Sequence, residues 1–259
     1  LQVVEAELMA AQSYRPAAAT TALCQKWSHI LRLLPQGRDS SCLTSTLEPL
    51  QQSFEQLLVW GVTPRANRLG QQLGAAPFPC DDLVRNVNDK RYSHNLEGRL
   101  GLQLPHSQII HSDQQFQQAA QNCPFDWVIK HPFGYSGRER IFGKAHHLSS
   151  SAQGWASKRL QEGWTLLFEP WVERVHDFSL HFEIAPTKQV SYLGWCSLVS
   201  DRSGGYRGNF VAPERPIEPQ ALEIGERVAA ELAQSGYWGP MGIDAFSGDV
   251  VHPQFWPES

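Results

Sequence analysis

Residues 125–143, FDWVIKHPFGYSGRERIFG, set two short apolar strand segments on either side of a loop made of a proline, glycines, a serine and charges. Proline and glycine at these positions stop a helix from running through, so the chain must build a sheet here and cover it from elsewhere. The flanking segments supply that cover. SHNLEGRLGL and SDQQFQQAAQN read as capped helices, LPHSQII as a short strand after a proline, SSAQGWASKRLQEG as a helix ended by Gly163, and TLLFEPWV as a strand that breaks at Pro170.

The last third is richer in strands. DFSLHFEIA and QVSYLGWCSLVSD are followed by a polar glycine-rich loop, RSGGYRGN, and a long amphipathic helix across EPQALEIGERVAAELAQSG. WGPMGIDAFSGDVVHP then reads as a closing hairpin with Ser247-Gly248-Asp249 at its turn. Upstream, LQVVEAELMAAQ and LEPLQQSFEQLLVWG carry helical spacing, LLVWG equally suits the end of a short buried strand, and TPRANRLGQQLGA opens a helix on Thr63-Pro64. Residues 1–89 therefore form an α/β or mainly helical N-terminal region. Residues 90–259 mix strands and helices in an α+β manner without the strict alternation of a doubly wound sheet.

Composition narrows the function. The net charge of −4 comes without a run of lysine and arginine or a basic stripe interleaved with aromatics, which argues against nucleic acid as a partner. No apolar stretch approaches the ~20 residues of a membrane helix and no basic-then-apolar leader is present, so no membrane partner is expected. The five cysteines, at 24, 42, 80, 123 and 196, are scattered and include no C-x-x-C pair, the pattern of reduced thiols in a cytoplasmic protein. The first residue is leucine and not methionine, which leaves room for a preceding segment. The tryptophans at 127, 164, 171, 195 and 238 read as core and not as a stacking platform.

The central loop raises a phosphate question. A strand that delivers Lys130 at its end, followed by Gly134, Tyr135, Ser136 and Gly137, offers an ammonium beside unhindered backbone N–H groups. An ordinary hairpin turn has the same spelling. A Walker loop is excluded, because Arg138 stands where its lysine should follow Gly137, and the kinase pattern G-x-G-x-x-G fails as well. Three further features lie around it in order. VNDK places Lys90 forty residues earlier; FEPWV puts Glu169 at a strand end before a proline, where freed backbone groups could read an adenine edge; and GIDAF buries Asp244 between apolar neighbours, a position that calls for a cation or a hydrogen-bond network. Taken singly, each also fits a structural role.

In this order the four motifs resemble the ATP-grasp superfamily of ligases over about residues 80–251. The resemblance implies an ATP-grasp fold of two α+β subdomains clasping ATP, a lid subdomain at about 123–168 and a C-terminal subdomain at about 169–259, behind a smaller region at 1–89. It further implies an ADP-forming ligase using ATP and Mg²⁺ that activates a carboxylate as an acyl phosphate for attack by an amine, with amino acids or peptides as substrates and peptide-like bonds as products. By position, Lys90 and Lys130 would neutralise phosphates under the loop Gly134–Gly137. Glu169, Trp171 and Val172 would face the adenine, His176 or Asp177 would sit near the ribose, and Asp244 would hold magnesium. Arg207 in RSGGYRGN would bind a substrate carboxylate or steady the transferring phosphoryl group, where the bland alternative is a solvated hairpin tip. The pattern departs from the superfamily after VVHP, where a glutamate and an asparagine in E-x-N spelling should complete the metal site; Glu258 lies at the right distance but no asparagine follows. The expectation is that an omitted segment carries that motif. A catalytically silent nucleotide-binding module and a plain α+β interaction domain remain as alternative readings, and the oligomeric state, a homodimer included, is left open.

Overall fold

The computed structural model describes residues 59, 62–134, 138–201, 204–211 and 216–248, except for the side chain of Arg65. The helical readings of residues 1–58 and the second arm of the closing hairpin lie outside the described residues. The chain divides into two compact units, Leu1–Asp81 and Asp82–Ser259. In the first unit, helix α1 (Pro64–Leu73) starts where the sequence places it: the Thr63 hydroxyl accepts the Ala66 N–H, and Gly74 closes the helix in the left-handed conformation at φ 65°. Helix α2 (Asp81–Val87) begins at the boundary.

In the second unit α2 is followed by helix α3 (Lys90–Leu100), capped by the Asp89 carboxylate on the N–H of Arg91. The sequence reading starts this helix three residues later, at Ser93; the cap is Asp89, whose side chain also holds the Arg91 guanidinium. Strand β1 (Gln108–Ile110), helix α4 (Asp113–Asn122), strands β2 (Trp127–Lys130) and β3 (Arg140–Gly143), helix α5 (Ser150–Gln161) and strand β4 (Leu166–Pro170) follow. They make an antiparallel sheet in the order β1-β4-β2-β3. Side chains alternate across a sheet. Ile110, Trp127, Ile129, Leu166 and Phe168 go to one face, where Phe116, Ala119 and Ala120 of α4 and Ala152 and Ala156 of α5 bury them. Gly143 pairs with Trp127 in the β2–β3 register and leaves the space that the indole fills.

The second sheet contains β5 (His176–Ile184), β6 (Val190–Ser200), β7 (Tyr206–Val211) and β8 (Gly239–Ser247) in the order β7-β6-β5-β8, all antiparallel. Helix α6 (Pro219–Gln234) covers one face, with Ala221, Leu222 and Ala229 against Phe178, Leu180, Phe182, Trp195, Ile243 and Ala245. Tyr206–Asn209, read from sequence as loop, is strand. As an edge strand with exposure on both faces, β7 has no apolar alternation to announce it. Among the described residues no helix is long and apolar enough to cross a membrane.

Two glycines test this packing with opposite signs. A methyl group at Gly143 would overlap the Trp127 indole, whereas Gly154 in α5 is exposed with nothing near its missing Cβ. Gly143→Ala is expected to cost about 1–3 kcal/mol through overpacking and Gly154→Ala to add up to ~1 kcal/mol through helix propensity. Urea unfolding followed by tryptophan fluorescence checks both, and equal effects would contradict this account of the β2–β3 pair.

Candidate functional site

In each sheet one face packs under helices, α4 and α5 in the first and α6 in the second, and the sequence-predicted residues collect mainly on the opposite face, where Val128 and Leu167 of the first sheet are also buried. In the first sheet, Lys130 pairs across from Arg140 and Leu167, and Val128 from Phe142 and Glu169. Lys130 and Glu169 are therefore diagonal neighbours on one face, close enough for long side chains to meet. They do meet: the Lys130 ammonium donates to Glu169 Oε2, with the side chains 27% and 12% exposed. Lys90 joins them from the start of α3, where its backbone N–H donates to the Pro132 carbonyl at 3.1 Å and its ammonium to the Gly134 carbonyl. Three of the four segments singled out in the sequence thus meet in one place. Tyr135, Ser136 and Gly137 lie outside the described residues.

Beyond Pro170 the strand ends. The N–H of Trp171 is already used, donating to the Asp126 carbonyl at 2.6 Å, so it does not stand free as the strand break suggested. Its ring meets Phe142 edge-on at 4.8 Å and lies 5.0 Å from the Arg174 guanidinium, while Arg140 lies 5.1 Å from the Phe142 ring. Arg174 in turn pairs with Asp177 at 3.0 Å. Val172 is half-buried beside this cluster.

In the second sheet, Ser179 pairs with Asp244 and Asp177 with Phe246, which puts Asp177 and Asp244 on the same face, away from α6. His176 goes to the opposite face, 5.8 Å edge-on from Trp195 and 2.9 Å from the Ser197 hydroxyl. The two ribose candidates are therefore separated, and only Asp177 shares a face with Asp244. Asp244 itself is exposed, not buried as its apolar neighbours suggested. The period of two sends Ile243 and Ala245 to the α6 side and the carboxylate between them outward. Among the described residues no group of three or more His, Cys, Asp or Glu is placed to hold a metal ion. Arg207, on exposed β7, makes a 3.0 Å ion pair with Asp201.

Two groups that the sequence reading missed bear on the lysines. His131, 2% exposed, accepts the Phe133 N–H at Nδ1 and meets Trp164 edge-on at 4.5 Å; burial pushes its pKa down to about 4, so it stays neutral at the base of the loop. Its backbone N–H donates to Glu139, whose carboxylate binds Arg159 at 2.5 Å. Glu97 on α3 has its carboxyl pushed up to about 7, first by burial and then by the Glu169 charge, with Lys130 acting the other way. Glu97 lies in a stretch that reads only as a helix, and His131 lies inside the loop motif with no role assigned to it. A histidine inside the strand-end sequence VIKHP was the only signal.

The described fold is the ATP-grasp fold. The chain is similar to biotin carboxylase of Campylobacter jejuni, solved with β,γ-ATP (TM-score 0.59, 12% identity, covering 73% of this chain and 44% of that one). It is also similar to the biotin carboxylase domain of the 2-oxoglutarate carboxylase of Hydrogenobacter thermophilus, solved with MgADP, ADP and bicarbonate (0.56, 17%, 71% and 42%). A third is the N5-carboxyaminoimidazole ribonucleotide synthetase of Thermus thermophilus (0.55, 14%, 73% and 50%). The chain spans half or less of the length of these proteins. No family model matches the sequence, and no curated protein does.

The Glu97 shift gives a stability test. The folded protein holds this proton more tightly than the unfolded chain, where a glutamate titrates near ~4.3. Its contribution therefore turns unfavourable as pH rises from there through about 7. Glu97→Gln is expected to be more stable than the parent at pH 8 by roughly 1–3 kcal/mol, with the gap closing toward pH 4.5. Urea midpoints across that range check it, and a pH-independent gap would contradict the assignment.

Proposed function

We propose that this chain forms the nucleotide-binding core of an ADP-forming ligase that uses ATP and Mg²⁺ to activate a carboxylate for attack by an amine. The observation that carries this reading is the Lys130–Glu169 pair on the face of an ATP-grasp sheet left open by α4 and α5, with Lys90 brought to the adjoining loop. Phosphoryl transfer asks mainly for positioning and charge neutralisation. Two lysines of different reach supply the charge, and a nucleotide phosphate would draw Lys130 away from Glu169 and Lys90 away from the Gly134 carbonyl. In this reading Glu169, Trp171 and Val172 would face the base, and Asp177 the ribose.

Asp244 fits magnesium. It is exposed, and it forms no ion pair among the described residues; Mg²⁺ is usually held through one or two carboxylates together with substrate phosphates. Asp244 would hold the ion, whose charge would offset the negative charge that develops on the phosphates. In the reaction a carboxylate oxygen forms a bond to the γ-phosphorus as the bond to the β-phosphate oxygen breaks and ADP leaves. The amine then bonds to the acyl carbon, inorganic phosphate departs with the electron pair, and the amine proton is released. Arg207, once drawn from Asp201, is the residue assigned to steady the phosphoryl group or the carboxylate. The amine and carboxylate are taken to be amino acids or peptides, in a cytoplasmic setting.

A second reading, nucleotide binding without turnover, is favoured by one observation: Asp244 is the single carboxylate of the expected metal set among the described residues. Incubation with Mg-ATP and a library of amino acids and peptides separates the two, because ADP release with a product mass supports the ligase and binding without ADP release supports the silent module. Mg-ATP at 100 times its dissociation constant is expected to stabilise the parent by about 2.7 kcal/mol. Lys130→Ala is expected to lose most of that stabilisation and any ADP release while its ligand-free melting temperature stays within a few degrees. An unchanged Mg-ATP response would remove Lys130 from the site.

A further inference from the structure

On the open face of the second sheet, one glycine stands between polar side chains. Gly242 lies across from His181 in the β5–β8 register, and Ser179 lies across from Asp244. A methyl group placed on Gly242 would sit 3.7 Å from His181 Nδ1 and 3.7 Å from the Ser179 hydroxyl, in ordinary contact with both and with nothing nearer. The glycine therefore leaves a notch one methyl group in size. On the far side of the imidazole, Nε2 lies 3.5 Å from Cys196 Sγ.

What the notch presents depends on which ring nitrogen of His181 carries the hydrogen. Cys196 is buried, and its thiol is pushed up by that burial and then by the charge of Asp244, so it carries its proton. Its sulfur already receives the backbone N–H of Ser179, and His181 Nε2 lies 3.5 Å away, where the S–H donates to the ring if the ring hydrogen is on Nδ1. An imidazole that accepts at Nε2 and is neutral carries its hydrogen on Nδ1. Nδ1–H and the Ser179 O–H then both face the space over Gly242.

We infer that Ser179, His181 and Gly242 form a two-donor notch for one oxygen of a small carboxylate, with Cys196 as the positioning residue that sets the histidine tautomer. The inference rests on the ligase reading for its meaning: it names where the acid to be activated is held, on the face that carries Asp244. The carboxylates on this face are Asp177, which is paired with Arg174, and Glu183 and Asp244. They oppose an anion until a cation sits among them, so the notch is to be probed with magnesium present.

The test uses the full chain with ¹⁵N-labelled histidine, MgADP and acetate as the probe carboxylate. His181 is assigned by its loss in His181→Gln. Long-range ¹H–¹⁵N spectra are expected to show the proton on Nδ1 in the parent, and acetate is expected to shift that nitrogen saturably. Gly242→Ala fills the notch without a clash and is expected to weaken the acetate response at least tenfold. Ser179→Ala, which removes one donor and adds no volume, is a second route to the same loss. Cys196→Ala is expected to move the proton toward Nε2, and Cys196→Ser, which keeps a donor, to restore Nδ1. A proton on Nε2 in the parent, or an acetate response untouched by Gly242→Ala and Ser179→Ala, would overturn the inference. Mg-ATP stabilisation measured on the same samples keeps the two proposals apart. Its absence beside an intact acetate response sinks the nucleotide reading alone, and its presence without an acetate response sinks the notch alone.

Discussion

The pairing of β2 with β4 carries the site. Val128 stands opposite Glu169 and Lys130 opposite Leu167, so a shift of one residue in either strand would turn that strand's charge into the face packed by Phe116, Ala120 and Ala156 and part it from its partner. Burying an unpaired ammonium or carboxylate there would cost several kcal/mol. The Lys130–Glu169 contact is thus partly a register lock. The aromatic cluster of Phe116, Trp127 and Phe168 holds one side of the same strands as the ion pair holds the other.

The second sheet repeats this division with different chemistry. Phe178, Leu180 and Phe182 lie under α6, and the alternate residues of β5, Asp177, Ser179, His181 and Glu183, point the other way. Nothing in this arrangement asks for a polar strand except the face it presents. A helix-covered sheet could be stable with threonine and valine at those positions. Four polar side chains in alternation, three of them ionisable, line this face, which is the ligand side under the proposed function.

Much of the scaffold was legible because it is periodic. The alternation in DFSLHFEI, the capping residue Ser112 and the proline after Glu169 are local signals, and the elements stand where those signals put them. What was not legible depends on a neighbour brought from elsewhere. Asp244 looked buried because its flanking residues are apolar in sequence, whereas in a strand those flanks face away from it. β7 looked like loop because an edge strand exposed on both sides has no alternation to show. His131, Glu97, and the Cys196–His181 contact owe their properties to Trp164, Glu169 and the β5–β6 register, none of which adjacency in sequence reveals.

The same edge strand governs how the protein behaves in bulk. Among the described residues β7 pairs only with β6, and Phe210 and Val211 are 68% and 81% exposed at its end. Its single charge, Arg207, is neutralised by Asp201, so the strand lacks the lysines and prolines by which most proteins make an edge unattractive to other chains. An edge of this kind is the template on which strands of neighbouring chains add, so the six residues of β7 are where contacts between copies would start as the protein is concentrated.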